Sequence, residues 1–471
     1  MTIRLYNTQH GKKEEFVPLQ PGKVGIYCCG PTTYNYIHLG NARPLVVFDT
    51  IRRYFQWRGW DVTFVQNFTD VDDKIIQRAA QEGMDAKALA EKYIAAYFED
   101  AAALNVLPAD EHPRVTKHIG DIIALVQRII DRGHAYAAGG DVYFDVRSLP
   151  EYGALSGRDI DDLQSGARVA AGEAKRDPLD FALWKAAKPG EISWPSPWGE
   201  GRPGWHIECS AMSCKYLGES FDIHGGGADL VFPHHENELA QSHAAGYGFA
   251  RYWLHNGFIT VNEEKMSKSL NNFFLLRDIL AKFPGDVVRC YLLGTHYRSP
   301  IDFSDDKLAA AERSLARIRN SYRLLQEAQA RALPDAPASF AEKTAQARAD
   351  FIAAMDDDFN TALAFSVLFT YCHDLNSYLA STTPAAADVA AALALFDDFD
   401  AVLAMVKPQA GGKAAEDGLA EQLMELILTI RSQARAKKDW ATADAIRDGL
   451  KPLGIVVEDT PQGARWKRAG R

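Results

Sequence analysis

The chain has 471 residues, 47% of them hydrophobic and 24% charged, which is the make-up of a water-soluble globular protein with room for several domains. A net charge of −10 excludes a protein that coats nucleic acid by bulk charge, and six cysteines, at 28, 29, 209, 214, 290 and 372, are too few and too irregular for a disulfide framework. No apolar run approaches membrane-spanning length and the first residues hold no apolar signal core, so the expectation is a cytoplasmic protein with no membrane partner, where cysteine near histidine and glutamate suggests a metal or catalysis.

Val24 to Cys28 reads as a short buried strand, and Pro44 to Trp57, closed by Gly59, as an apolar-periodic helix. Between them lies YCCGPTTYNYIHLGNAR, with Gly30-Pro31, two threonines, and His38-Leu39-Gly40-Asn41. A glycine-containing turn from strand to helix lets backbone approach a ligand closely, and a helix start favours phosphate. From Lys23 to Glu82 the pattern runs strand, helix, strand, helix, which predicts βαβ units and a parallel sheet. Ala86 to Leu104 and His118 to Arg132 read as amphipathic helices. From Gly139 to about Gly204 the character changes to short strands and a Pro/Gly/Trp-rich loop, and the α/β pattern resumes at Trp205, with YWLHNGFITV as one strand. The fold class is therefore α/β: a split Rossmann-type nucleotide-binding domain, 1–115 and 200–262, with 116–199 inserted. A loop and helices follow over 263–333, a helical bundle over 340–406, and a small module over 418–471. That end is basic: from Arg431 to Arg471 ten Lys/Arg meet five Asp/Glu, a local +5 on a body of −15, which suggests one local polyanion contact.

Two groups of residues carry chemistry. Glu263 to Ser269, EEKMSKS, sets Lys265 and Lys268 three apart beside two serines after a strand, a combination able to close around phosphate oxygens. Pro233 to Glu238, PHHENE, reads as a helix start with proline first and acids in the first turn. His234 and Glu238 there share a face, and one cysteine from each half of the sheet, Cys29 and Cys209, completes a tetrahedral zinc set. Spacing alone leaves His235, Cys28, Cys214, His206 and His224 open as alternatives.

His38-Leu39-Gly40-Asn41 and Lys265-Met266-Ser267-Lys268-Ser269, each at a strand end in opposite halves of a split sheet, resemble the two signature motifs of class I aminoacyl-tRNA synthetases. The stretches from Gly201 to Met212 and from His224 to Glu238, with the opening Cys-Gly-Pro-Thr, resemble the cysteinyl-tRNA synthetase family nearly end to end. The resemblance implies activation of L-cysteine with ATP and Mg2+ and its transfer to tRNA(Cys). It implies one zinc per subunit on Cys29, Cys209, His234 and Glu238, with Cys29 and not Cys28 as ligand. His38, Asn41, Lys265 and Lys268 become the catalytic set. Thr32, His38, Gly40, Asn41, Gly226, Asp229 and Lys268 become the ATP contacts, and Gly30 and Trp205 the amino-acid contacts, Trp205 as the pocket floor. One departure is Asn41, where the family commonly has histidine; an amide can place an N–H donor about where the imidazole would. Zinc accounts for specificity, since cysteine and serine are nearly isosteric while thiolate binds the ion readily and a hydroxyl poorly. The helical residues and the tail Arg465-Trp466-Lys467-Arg468 would contact the anticodon stem and loop. A monomer is expected. The rival reading is the related cysteine–amino-sugar ligase of mycothiol synthesis, against which the long helical and basic end speaks.

Overall fold

Four parallel strands carry the site. A computed structural model describes residues 2–159, 174–261, 264–265, 273–408, 413–453, 455–460 and 463–468. A hairpin, β1 (Arg4–Asn7) and β2 (Lys12–Glu15), precedes β3 (Lys23–Cys28), α1 (Leu39–Trp57), β4 (Asp61–Gln66), α2 (Asp73–Glu82), α3 (Ala86–Ala103) and α4 (Ile119–Asp131). Next come β5 (Ala135–Ala138), β6 (Asp141–Phe144), β7 (Phe181–Ala186) and β8 (Gly201–Pro203), an antiparallel sheet in that order. The chain returns through α5 (Trp205–Leu217), β9 (Ser220–Gly227), α6 (Glu236–Ala244) and β10 (Phe249–Asn256). These complete a parallel sheet of order β10-β9-β3-β4. The strand order reverses direction between β3 and β9, and ligands of such sheets bind in the crevice beyond the strand ends at that point.

The sheet is buried on both faces, as parallel sheets are. Ile26 and Cys28 of β3 enter a core with α1 and the later helices, whereas Tyr27 between them enters a second core with Leu125, Phe144 and Trp184 of the inserted part. Alternation along the strand thus sends neighbouring side chains to opposite sides. Asp73, first residue of α2, ties that helix to the antiparallel sheet, taking Lys185 Nζ of β7 at 3.1 Å and the Arg202 guanidinium of β8.

Helix α1 starts at Leu39, five residues before the expected Pro44. His38 is extended (φ −107°, ψ 171°); its Nδ1 accepts from Asn41 N at 3.2 Å and its own N–H donates to Asn41 Oδ1 at 3.2 Å. This reciprocal cap opens the helix before its apolar periodicity begins. Pro44 then forfeits one helix bond, to the Gly40 carbonyl. The expected strand YWLHNGFITV is two, β10 and β11 (Ile259–Val261), parted at Gly257-Phe258. There the buried Arg43 guanidinium of α1 donates to Phe258 O at 2.8 Å and to the His296 and Ser299 carbonyls.

β12 (Glu264–Lys265), α7 (Leu276–Leu280), α8 (Gly285–Leu293), β13 (Ile301–Asp302), α9 (Asp305–Gln329), α10 (Ala341–Asp356), α11 (Thr361–Ser381) and α12 (Ala386–Leu403) follow. Phe351, Leu368, Phe396 and Phe399 bury the bundle's interior. Pro408–Arg471 form a separate compact unit, with α13 (Lys413–Ala436), α14 (Trp440–Leu450) and the hairpin β14 (Ile455–Thr460) and β15 (Gly463–Arg468). Lys268 and the rest of 266–272 lie outside the described residues, as does the Lys265 side chain.

Candidate active site and metal centre

Cys29 follows the last residue of β3 and lies on the Tyr27 side of the sheet, opposite Cys28. Gly30 holds it there: its N–H donates to Asn67 Oδ1 at 2.9 Å, and a Cβ on residue 30 would fall 1.6 Å from the Asn67 carbonyl oxygen. Cys209 comes from α5. His234 and Glu238 come from a helical run that begins at Pro233, because Phe232 before it is extended (φ −138°, ψ 132°).

These four side chains converge. Cys29 Sγ lies 3.7 Å from Cys209 Sγ, 3.5 Å from His234 Nε2 and 3.5 Å from Glu238 Oε1, and His234 Nε2 lies 3.0 Å from Glu238 Oε1. A tetrahedral ion with Zn–S of about 2.3 Å and Zn–N or Zn–O of about 2.0–2.2 Å spans edges of roughly 3.8 Å between sulfurs, 3.5 Å from sulfur to nitrogen or oxygen, and 3.3 Å between nitrogen and oxygen. The donor atoms therefore already stand near the corners of a zinc tetrahedron, and two sulfurs, an imidazole and a carboxylate suit that ion.

A second set, Cys29 with His224, His235 and Glu238, also comes within ligand range. In that set His235 Nε2 lies 3.3 Å from Cys29 Sγ. His224 Nε2 lies 2.8 Å from Glu238 Oε2, and His235 Nδ1 lies 2.8 Å from His255 Nε2, whose Nδ1 meets Thr8 Oγ1 at 2.7 Å. His206 Nδ1 sits 2.8 Å from His234 Nδ1, leaving His234 Nε2 to face the sulfurs. Such outer partners orient ligands. Burial lowers the pKa of His206, His235 and His255 and so keeps them neutral. The hydrogen bond from Cys29 brings the Cys209 thiol down to about 6, against its burial. Among the described residues Cys28 and Cys214 join neither set; burial pushes the Cys28 thiol up to about 12.

A cavity of about 360 Å³ opens above this cluster, and Cys29, Gly30, Thr32, His38, Gly40, Asn41, Trp205 and Asp229 all line it. Trp205, first residue of α5, lines the cavity, stacks on His234 with centroids 4.3 Å apart and is 42% exposed. Gly226 turns away: a Cβ there would meet His235 Cε1 at 2.8 Å, and it is Gly227 that faces the cavity. Sequence reasoning passed over Tyr34, Tyr36 and Lys74 on the cavity wall; aromatic residues in the turn after β3 and a lysine just beyond the end of β4 were the available signal.

A family model described as the tRNA synthetases class I (C) catalytic domain matches residues 15–313, a DALR domain model matches 350–407, and a cysteinyl-tRNA ligase anticodon binding domain model matches 418–466. The cysteine–tRNA ligase of Heliobacterium modesticaldum is 58% identical over 482 aligned residues, covering 100% of both chains. That of Pelotomaculum thermopropionicum is 59% identical, covering 99% of this chain and 100% of its own. Among solved structures, methionyl-tRNA synthetase of Mycobacterium tuberculosis in complex with methionyl-adenylate covers 81% of this chain and 89% of its own, with a TM-score of 0.59 and 17% identity, a likeness of fold alone.

Proposed function

The chain belongs to the cysteine–tRNA ligase family of class I aminoacyl-tRNA synthetases, and from that premise we propose that both half-reactions run in the cavity above the Cys29 cluster, with one zinc held by Cys29, Cys209, His234 and Glu238. Zinc bound there would supply a ligand position for thiolate, which serine's hydroxyl takes poorly at neutral pH. In the first half-reaction a carboxylate oxygen of cysteine attacks the α-phosphorus of ATP, and the bond to the β-phosphate oxygen breaks as pyrophosphate leaves. In the second, the terminal 2′-hydroxyl of tRNA(Cys) attacks the acyl carbon and AMP leaves.

The chain's own residues position and neutralise. His38 and Asn41, at the N-terminus of α1, turn donors to the triphosphate, where the helix dipole also favours negative charge. His38 Nδ1 accepts from Asn41 N, so a neutral imidazole carries its proton on Nε2. Lys265 and Lys268 supply charge as pyrophosphate departs, and Mg2+ travels with the ATP. Thr32 and Gly40 line the ATP path. Asp229 accepts from ribose hydroxyls, with Gly226-Gly227 behind it, and Gly30 and Trp205 bound the cysteine. The regions 263–333, 340–406 and 418–471 serve tRNA, and the protein works as a cytoplasmic monomer; no helix among the described residues is long and apolar enough to cross a membrane. The observation carrying this reading is the set of interatomic distances around Cys29, which match a zinc tetrahedron. The amino-sugar ligase alternative is not favoured, since the likeness to cysteine–tRNA ligases runs the whole length and includes the anticodon-binding part.

ATP–pyrophosphate exchange across all twenty amino acids, then transfer to tRNA(Cys) and to the amino-sugar, tests the reading. Exchange confined to cysteine with transfer to tRNA alone is expected. Transfer to the sugar would overturn it.

A further inference from the structure

We propose that Lys74 and Tyr34 seat the 3′-terminal nucleotide of the tRNA acceptor end, the Lys74 ammonium against a backbone phosphate and the Tyr34 ring against the base; the proposal rests on placing the adenylate in this cavity. Four groups of the cavity's lining residues bear on its ligands. Gly227 and Asp229 beyond β9 form one, Cys29 and Trp205 another, and His38 with Asn41 at the start of α1 a third. These are given to adenosine, cysteine and triphosphate. The fourth, formed by Tyr34, Asn35, Tyr36 and Lys74 beside the end of β4, has no assigned ligand, and the tRNA terminus still has to reach the adenylate carbonyl.

Lys74 is the one Lys or Arg lining this cavity among the described residues. It is exposed, and its Nζ lies 5.6 Å above the Tyr34 ring centroid. Three aspartates lie within four positions of it, yet all are committed elsewhere. Asp70 accepts from Thr116 Oγ1 at 2.6 Å and Asp72 caps α2 by accepting from Lys74 N at 2.9 Å. Asp73 takes Lys185 and Arg202 of the inserted sheet. The ammonium also sits in the first turn of a helix, where the dipole disfavours a cation. A cation with no carboxylate partner among the described residues, in an unfavourable position and over an aromatic ring, is matched to a nucleotide: stacking for the base and charge for the phosphate. The Asp73 clamp keeps this wall in place by joining α2 to β7 and β8.

The test uses the full-length chain with Lys74→Ala, Lys74→Arg and Lys74→Glu. Cysteine-dependent pyrophosphate exchange is measured with its KM values for ATP and cysteine, and single-turnover transfer from preformed adenylate to tRNA(Cys) is measured separately. The expected result is a split: Lys74→Ala slows transfer tenfold or more while exchange stays within twofold, Lys74→Glu slows it further, and Lys74→Arg recovers most of it. The salt dependence of the tRNA KM should flatten by about 0.7 in log–log slope, one single-strand phosphate contact. A parallel fall in exchange would overturn the proposal by assigning Lys74 to ATP phosphate or the cysteine carboxylate. No change in either rate would overturn it by leaving Lys74 solvated. Absence of cysteine-dependent exchange in the unsubstituted chain would overturn the underlying reading, and the seat with it.

Discussion

Cys29 Sγ and Cys209 Sγ stand 3.7 Å apart although 180 residues separate them in sequence. The two cysteines are free, and the spacing is that of two thiolates on one tetrahedral ion, not of a disulfide, whose sulfurs lie about 2.05 Å apart.

Elemental analysis of purified protein should therefore find one zinc per chain. Cys209→Ser and His234→Ala should lose both metal and cysteine activation, while Cys28→Ser and Cys214→Ser should keep them. On the cobalt-substituted protein, added cysteine should produce a sulfur-to-metal charge-transfer band. An unchanged spectrum would exclude direct thiolate ligation.

Asn41 both caps α1 and faces the cavity, and two substitutions separate these roles. Asn41→Ala should cost about 1 kcal/mol of stability by chemical denaturation, through loss of the cap, and should also slow exchange. Asn41→Asp keeps an oxygen to accept from His38 N but removes the amide donor, so stability should return while exchange stays at least tenfold slow.

Arg43 fastens α1 to the break between β10 and β11, which leads towards the lysine loop. Arg43→Ala removes the guanidinium bonds to three carbonyls; Phe258 O keeps the N–H of Ile301 and His296 O that of Ser299, while Ser299 O loses its Arg43 donor. A destabilisation of about 3 kcal/mol is expected from losing hydrogen bonds to a buried charge. A denaturation midpoint unchanged by the substitution would remove Arg43 from this role.

Lys268→Ala should lower pyrophosphate exchange by orders of magnitude with little change in cysteine binding, because an ammonium that meets phosphate as charge develops acts on the transition state. Near-normal exchange in this variant would refute the phosphate-loop assignment.

Deleting the chain from Gly411 onwards should leave exchange nearly intact and strongly impair tRNA charging. The local +5 of the basic end goes with the deletion, so tRNA binding by the truncated protein should weaken less steeply with salt. An unchanged salt slope together with intact charging would show that tRNA is not read there.

Much of this was legible along the chain because the signals are local. Hydrophobic runs of strand and helix length from Lys23 to Glu82 and from Trp205 to Asn256 announce a parallel sheet interrupted by an insertion, and His38 to Asn41 and Lys265 to Ser269 are short strings. The start of α1 was not legible in the same way. Periodicity reports buried faces, and the first turn of α1 is set by the hydrogen bonds between His38 and Asn41 instead.

Sequence alone determined which residue types could hold a metal but not which atoms would meet. Spacing left His224, His235, Cys28 and Cys214 as open as His234, Glu238, Cys29 and Cys209. The tertiary structure sets Cys28 and Cys214 apart from both donor sets among the described residues and brings His234 and His235 alike to Cys29. Alternation along β3 turns Cys28 into the core beside α1 and leaves Cys29, one residue on, facing α5 across the sheet. The contacts of His206 with His234 and of His255 with His235 then turn the Nε2 atoms of both histidines towards Cys29 Sγ. Lys74 shows the same limit: one lysine among many in sequence, it becomes distinctive because folding places it on a cavity wall while its neighbouring aspartates turn to Thr116, to the backbone of α2, and to Lys185 and Arg202.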